Sequence, residues 1–329
     1  MTEQQTVLLT DRAWPDDSIE RDVLEQAACR LVAGPADPAP AGTIDALAAE
    51  HQPTAILTCW ASVSAQAIAS SAPLRVVARM GVGLDNIDVA AATGRGVLVT
   101  NVPDYCVQEV SDHAVGLVLA YTRGLVTADR EVRAGRWNPA AARLRRLSAL
   151  TCGVVGFGRI GRATVAKLQA LGVHVVITTA NPPDDTGGAP VLPLHELLAT
   201  SDVVILHAPL TPQTRHLIGE RELALMPQGS FLVNVSRGGL VDTPALINSL
   251  RAEHLGGAGL DVLEEEPSVP ADLLTHPGVI VTPHIAFSSD ASVADLRRSA
   301  AEEVVRVLRG EPARYPCNSP SPLTSGASA

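Results

Sequence analysis

The sequence predicts an α/β protein built on two open parallel sheets, and three observations carry that reading. Short runs of Val, Leu and Ile alternate with helical apolar patterns, once before about residue 100 and again after 150. One of the later runs ends in a glycine-rich turn that opens directly into a helix. Aromatic residues make up only 3% of the 329-residue chain and hydrophobic residues 46%. The core therefore falls to Ala, Val, Leu and Ile, which suit parallel strands covered by helices on both faces.

In chain order, residues 6 to 10 read as a first strand and Ile19 to Val32 as a helix with a short strand. The Pro/Gly-rich stretch Ala33–Gly42 reads as a loop, Ile44–Glu50 as a helix, Ala55–Thr58 as a strand and Ser64–Ser71 as a short helix. A strand Leu74–Arg79 runs into Gly81-Val-Gly-Leu-Asp-Asn-Ile-Asp88, and Gly96–Asn101 closes the block. Val102-Pro-Asp104 marks a boundary, followed by a long helix Val107–Thr122 with Ala114, Leu117, Val118 and Tyr121 on its apolar side. The Arg-rich stretch Arg123–Leu147, with Trp137 as its lone large apolar group, is either an arm against a partner subunit or a solvated connection. Beyond the glycine turn come strands at Val173–Thr178, Asp202–His207, Phe231–Val235, Gly257–Asp261 and Val279–Thr282, with a helix at Leu194–Leu198. A final helix, Ala291–Leu308, is long enough to return to the first domain. The expected domains are 1–103 with 292–316, and 104–291; the Pro/Ser/Gly-rich 317–329 is expected to be disordered.

Composition excludes several classes of function. The net charge is −10 and no Lys/Arg-dense run occurs, which argues against nucleic acid or an anionic membrane surface as partner. No apolar run approaches the roughly 18 residues of a membrane span. The start, Met1-Thr-Glu-Gln-Gln, lacks the basic segment of a signal peptide. Five cysteines at irregular spacing, with no C-x-x-C pair, suit reduced thiols in a cytoplasm, and no metal site is expected.

The most informative stretch is Gly156-x-Gly158-x-x-Gly161, placed between an apolar run and a helix whose face carries Ile160, Val165, Leu168 and Leu171. That context makes it a dinucleotide fingerprint. Gly156 allows a tight turn, Gly158 the close approach of a pyrophosphate, and Gly161 close packing of helix on sheet. The phosphates then meet free N–H groups and the positive end of the helix dipole. Three further stretches stand at the C-terminal ends of predicted strands, where open α/β sheets hold their ligands: Asn234–Asp242, Leu260–Pro267 and Thr282–Ala286.

With these motifs the chain resembles the D-isomer-specific 2-hydroxyacid dehydrogenases, from about the first strand to Pro312. The resemblance rests on Gly81–Asp88, the glycine turn, His207-Ala-Pro-Leu-Thr-Pro-Gln-Thr-Arg-His-Leu-Ile218 and the three strand-end stretches. The region around Arg79 is most similar to phosphoglycerate dehydrogenases and the C-terminal-binding-protein branch. The resemblance implies a Rossmann dinucleotide-binding domain inserted into a flavodoxin-like substrate domain, a homodimer, and a catalytic set of Arg237, Glu266 and His284. It further implies cofactor contacts at Gly156, Gly158, Arg159, Ile160, Gly161, Thr179, His207, Ala208, Pro209, Val235, Ser236, Asp261 and His284. Substrate contacts are implied at Gly81, Val82, Gly83 and Arg237. Arg79, at the mouth of the same loop, is a candidate for a second anionic group on the substrate.

The chemistry of these residue types agrees. Reducing a 2-oxo acid requires a hydride at C2 and a proton at the carbonyl oxygen, which a histidine can donate near neutral pH. A carboxylate such as Glu266 favours the protonated imidazole, and the planar fork of Arg237 suits a substrate carboxylate. One position departs from the pattern. The strand after the glycine turn should end in an acid that holds the ribose hydroxyls, and Thr179 stands there with no Arg following it. The choice between NAD and NADP therefore stays open. The expected activity is NAD(P)-dependent conversion of a small 2-oxo acid to a D-2-hydroxy acid. A dinucleotide-sensing regulator and a phosphite-type oxyanion dehydrogenase are the alternatives.

Overall fold

A computed structural model describes residues 4–142 and 144–320. The chain divides into two compact units, one formed by the N-terminal residues through Tyr105 with the residues from Ser289 onward, the other by Cys106–Ser288.

The first unit alternates β1 (Thr6–Leu9), α1 (Ser18–Gln26), β2 (Arg30–Ala33), α2 (Ala41–His51), β3 (Ala55–Thr58), α3 (Ala65–Ser70), β4 (Val76–Arg79), α4 (Val89–Gly94) and β5 (Leu98–Thr100). Its strands form one parallel sheet in the order β2-β1-β3-β4-β5, the flavodoxin-like arrangement. Side chains alternate across the sheet with period two. Val7, Leu9, Leu57, Val76 and Ala78 face one apolar cluster, while Leu8, Ile56, Val77 and Val99 face another with Ile44 and Ile68. Both faces being covered, β1, β3 and β4 are buried throughout. Short helices start on side-chain caps: Ser64 accepts from the Ala67 N–H and Asp88 from the Ala91 N–H.

The second unit begins with α5 (Val107–Thr122) and α6 (Leu125–Arg133). It continues through β6 (Thr151–Val155), α7 (Arg159–Ala170), β7 (His174–Thr178), α8 (Leu194–Thr200), β8 (Val203–Leu206), α9 (Glu220–Leu225), β9 (Ser230–Asn234), α10 (Thr243–Arg251), β10 (Leu255–Leu260), α11 (Ala271–Thr275) and β11 (Val279–Val281). The sheet is parallel with order β11-β10-β9-β8-β6-β7, so the strand order reverses between β6 and β8. The chain then returns to the first unit as α12 (Asp290–Leu308), which lays Leu296, Ala300, Val304 and Leu308 into the cluster containing Val7 and Leu57.

Three findings differ from the sequence reading. The stretch after α5, read as an arm or a solvated connection, contains a helix, α6, whose apolar Leu125, Val126 and Val132 are exposed rather than turned to a core. Helices α4, α9, α10 and α11 also lie where the sequence reading assigns no helix; α4, α9 and α11 span fewer than two turns, and α10 starts on its Asp242 cap with Pro244 in the first turn. The tail expected to be disordered from 317 is ordered at its start. The Cys317 N–H donates to the Val99 carbonyl, and Asn318 exchanges hydrogen bonds with β5 and with Val97 just before it. An edge strand with unpaired backbone groups supplies partners that composition does not reveal. Residues 321–329 lie outside the described residues.

A buried ion pair fixes α12 to α1. Arg297 reaches Glu20 at 2.7 Å, with Arg297 6% and Glu20 0% exposed, and the guanidinium lies 5.2 Å from the Trp14 ring centre. Removing one partner strands a desolvated charge, a loss of about 3–5 kcal/mol. Arg297→Leu is therefore expected to lower the denaturation midpoint sharply, and adding Glu20→Leu to recover most of the loss; equal stability of single and double variants contradicts this.

Candidate active site

The loops that follow β9, β10 and β11 converge because their backbones touch. A Cβ on Gly238 would overlap the Leu263 carbonyl, so the turn after Arg237 lies directly on the turn that leads to Glu266. Asn234 secures the first turn, donating to the Arg237 carbonyl at 2.9 Å and accepting from the Ser236 N–H at 3.1 Å. The Arg237 guanidinium donates to the Ser236 carbonyl at 2.8 Å. Glu266 accepts from the Leu263 N–H at 2.9 Å with one oxygen and meets His284 Nδ1 at 2.8 Å with the other. Burial opposes the charged form of Glu266, but His284, the Leu263 N–H and the nearby charge of Arg237 outweigh it. The carboxyl is held below its ordinary value.

The neighbouring Glu264 has a different task. It meets His216 at 2.5 Å and Arg215 at 3.3 Å, and accepts from the Thr243 N–H. This anchors the acidic turn rather than serving the His284 side. Asp261, at the end of β10, is turned inward with its side chain 1% exposed. Its oxygens accept from Thr282 Oγ1 (2.6 Å) and from the N–H groups of Ile285 (3.0 Å) and Ala286 (2.9 Å).

The glycine turn sits on the same side of the sheet, at the end of β6. Gly156 has φ 101°, and a Cβ there would approach the His207 carbonyl carbon to 2.6 Å. A Cβ on Gly161 would overlap the Gly156 carbonyl oxygen. A Cβ on Gly158 would meet nothing within 4 Å, so the turn is open where it faces the start of α7. Arg159, Ile160 and Gly161 form the first turn of that helix, whose N–H groups lack partners within the helix. This is a cradle that an anion fits. His207 packs under the turn and contacts Thr164 Oγ1 at 2.9 Å; burial pushes its imidazole down to about 4, so it is neutral at physiological pH. The loops beside it are tied in turn, Ser236 donating to the Ala208 carbonyl and Thr214 to the Pro209 carbonyl, while Val235 is buried. The Gly156 N–H donates to the Thr178 carbonyl, which brings half-buried Thr179 to the end of β7 beside the turn.

These features match known proteins. The model of the D-isomer specific 2-hydroxyacid dehydrogenase NAD binding domain covers residues 115–286. A glyoxylate reductase of Korarchaeum cryptofilum is 39% identical over 257 residues, which is 76% of this chain and 77% of that one. The chain belongs to the D-isomer specific 2-hydroxyacid dehydrogenase family. A D-3-phosphoglycerate dehydrogenase of Methanocaldococcus jannaschii is 38% identical over 79% of this chain, and the match spans only about half (50%) of that longer protein. Among solved structures, an NADPH-dependent glyoxylate/hydroxypyruvate reductase from Sinorhizobium meliloti superposes with TM-score 0.84 at 31% identity, covering 95% of this chain and 97% of the other.

The candidate substrate residues Arg79 and Gly81–Gly83 lie in the first unit. The Gly81–Gly83 loop is held by the Asn101 side chain on the Val82 carbonyl at 2.7 Å and by the Val102 N–H on the Gly81 carbonyl. Arg79 is 5% exposed; it donates to Asn86 at 3.1 Å and to the Met80 carbonyl, and lies 5.6 Å from the Trp60 ring centre. Its guanidinium thus packs into the base of the loop. Arg162 was missed by the sequence reading. It stacks on Phe157 at 4.7 Å and donates to the Asp185 carbonyl at 3.3 Å, bringing a cation to the loop that follows Thr179. The only signal was its adjacency to Gly161. Among the described residues no cluster of three or more His, Cys, Asp or Glu could hold a metal.

The open face of Gly158 yields a two-part test. Gly158→Val is expected to keep the wild-type melting temperature while weakening dinucleotide binding at least tenfold by fluorescence titration. Gly161→Val, which collides with backbone, is expected to lower the melting temperature as well.

Proposed function

We propose that this protein is an NAD(P)-dependent oxidoreductase that reduces the C2 carbonyl of a small 2-oxo acid to the D-2-hydroxy acid. The observation that carries the reading is the 2.8 Å contact of His284 with Glu266, in the unit that also holds the glycine cradle. The turn of Gly156, Gly158 and Gly161 with the first N–H groups of α7 would hold a reduced nicotinamide dinucleotide, which would supply the hydride. Arg237 binds the substrate carboxylate with its planar fork and polarises the carbonyl. The Gly81–Gly83 amides are a second anion-binding candidate, in a loop whose shape Arg79 fixes. His284, with Nδ1 on Glu266, holds a proton at Nε2 and delivers it to the carbonyl oxygen as C2 is reduced. Glu266 stabilises the imidazolium through this cycle. Because its carboxyl lies below the ordinary value, it remains an anion at neutral pH and is lost only as the pH falls through that lowered value.

Glyoxylate and hydroxypyruvate, named for similar enzymes, are the first substrates to try. Thr179 offers no carboxylate to repel a 2′-phosphate, and Arg162 stands by the following loop, which favours NADPH among the two cofactors. The five free thiols suit a cytoplasmic setting, and no helix among the described residues is long and apolar enough to cross a membrane. A panel of 2-oxo acids with NADH and NADPH tests the reading. Steady turnover is expected, with His284→Ala lowering kcat roughly 10²–10⁴-fold and Glu266→Gln moving the pH profile of kcat/KM. Dinucleotide binding without turnover on any acid points instead to a sensor.

The partner is a second copy of this chain. A groove of about 560 Å³ is bounded by Tyr121, Val126, Val132, Trp137, Leu144 and Ile280. Trp137 is 83% and Val132 50% exposed beside it, so arm and groove form one patch able to pair with itself. Light scattering at micromolar concentration is expected to show a dimer that Val132→Asp converts to monomer; a wild-type monomer rejects the pairing.

A further inference from the structure

Behind His284 lies a chain of polar side chains, centred on the buried Asp261, that the reaction derived above does not use. His284 has φ 54°, a left-handed backbone that residues with a Cβ adopt only when their surroundings impose it. Here the imposition is explicit. The His284 N–H donates to the Asp261 carbonyl at 2.8 Å and to the Thr282 carbonyl at 3.0 Å. The next two N–H groups, of Ile285 and Ala286, go to the two oxygens of the Asp261 side chain. The turn that aims His284 at Glu266 is therefore wrapped around a single buried carboxylate.

That carboxylate is approached from α5. His113 Nε2 lies 3.0 Å from Thr282 Oγ1 and 3.6 Å from Asp261 Oδ1. The proton positions follow from donor counting. An ionised carboxylate only accepts, so the single hydroxyl proton of Thr282 is committed to Asp261 at 2.6 Å. Thr282 can then only accept from the imidazole, and His113 must carry a proton on Nε2. We propose that His113 is a positioning residue for this reaction: by donating to Thr282 it locks the Thr282–Asp261 pair, which holds the left-handed turn that presents His284 to Glu266. The side chain is 22% exposed and its hydrogen bond goes to Thr282, so its action on His284 is through the loop.

This rests on the reading of His284 as proton donor, and the test separates the two. His113→Phe keeps a ring but removes the donor; His113→Gln restores an N–H of similar reach. Thr282→Val keeps the branched shape and removes the hydroxyl, and serves if His113→Phe does not fold. In 2-oxo acid reduction, His113→Phe and Thr282→Val are expected to lower kcat at least tenfold with KM within about twofold, and His113→Gln to recover most of the rate. On ¹⁵N-histidine-labelled protein without substrate, the ring signals of His284, assigned by their loss in His284→Ala, are expected to shift in His113→Phe and return in His113→Gln. That measurement needs no turnover, so it stands even if no 2-oxo acid is reduced. Unmoved His284 signals in both His113→Phe and Thr282→Val overturn the proposal whatever the rates do. Equal losses of kcat for His113→Phe and His113→Gln overturn it as well.

Discussion

Backbone packed directly on backbone, with no side chain between, is the constraint on which the Cys106–Ser288 unit depends. At the end of β6 the turn through Gly156 lies against His207 and Ala208, and Gly161 against the Gly156 carbonyl. At the end of β9, Gly238 lies against Leu263. Each contact requires a residue without a Cβ where loops must meet, and the glycine that permits the close approach loses more conformational freedom on folding than any other residue. The consequence is chemical. The N-terminal N–H groups of α7 face an open cradle, and Arg237 comes within electrostatic reach of Glu266.

Both units solve a second problem in the same way. Parallel strands end in loops whose N–H groups have no ladder partner, and a buried aspartate gathers them. Asp11, just past β1, accepts from the N–H groups of Cys59, Trp60 and Ala61 after β3. Asp261, just past β10, accepts from Ile285 and Ala286 after β11. Charge-assisted bonds of this kind are short and directional, and several on one carboxylate offset its desolvation. In the first unit the aspartate shapes the loop containing Trp60, whose ring lies by Arg79. In the second it shapes the turn of His284. The anions next to the proposed chemistry thus divide their work: Glu264 anchors a turn, Asp261 bends one, and Glu266 meets the His284 imidazole.

What could be read from the sequence is what local chemistry decides. Strands of Val, Leu and Ile between helical patterns show because both faces of a parallel strand are buried, and the helix Val107–Thr122 shows because its apolar side faces protein. The glycine fingerprint is legible because strand, turn and helix are contiguous. Arg237, Glu266 and His284 were singled out only through motif resemblance, since each alone is an ordinary strand-end residue. Helix α6 lies in a stretch whose many arginines read as an arm or a solvated connection, and the order of residues 317 and 318 comes from pairing with a strand more than two hundred residues earlier.

The sequence by itself determined the alternation of elements, the all-parallel sheets and the glycine turn, because these follow from residue spacing within a few turns of chain. Only the tertiary structure decided which nitrogen of His284 faces Glu266, that Asp261 points inward, that His113 approaches a loop far along the chain, and that Arg162 reaches the loop after β7. Those outcomes depend on side chains from separate elements competing for the same few donors and acceptors. That competition is settled in three dimensions, where a buried polar group must find a partner whatever its distance in sequence.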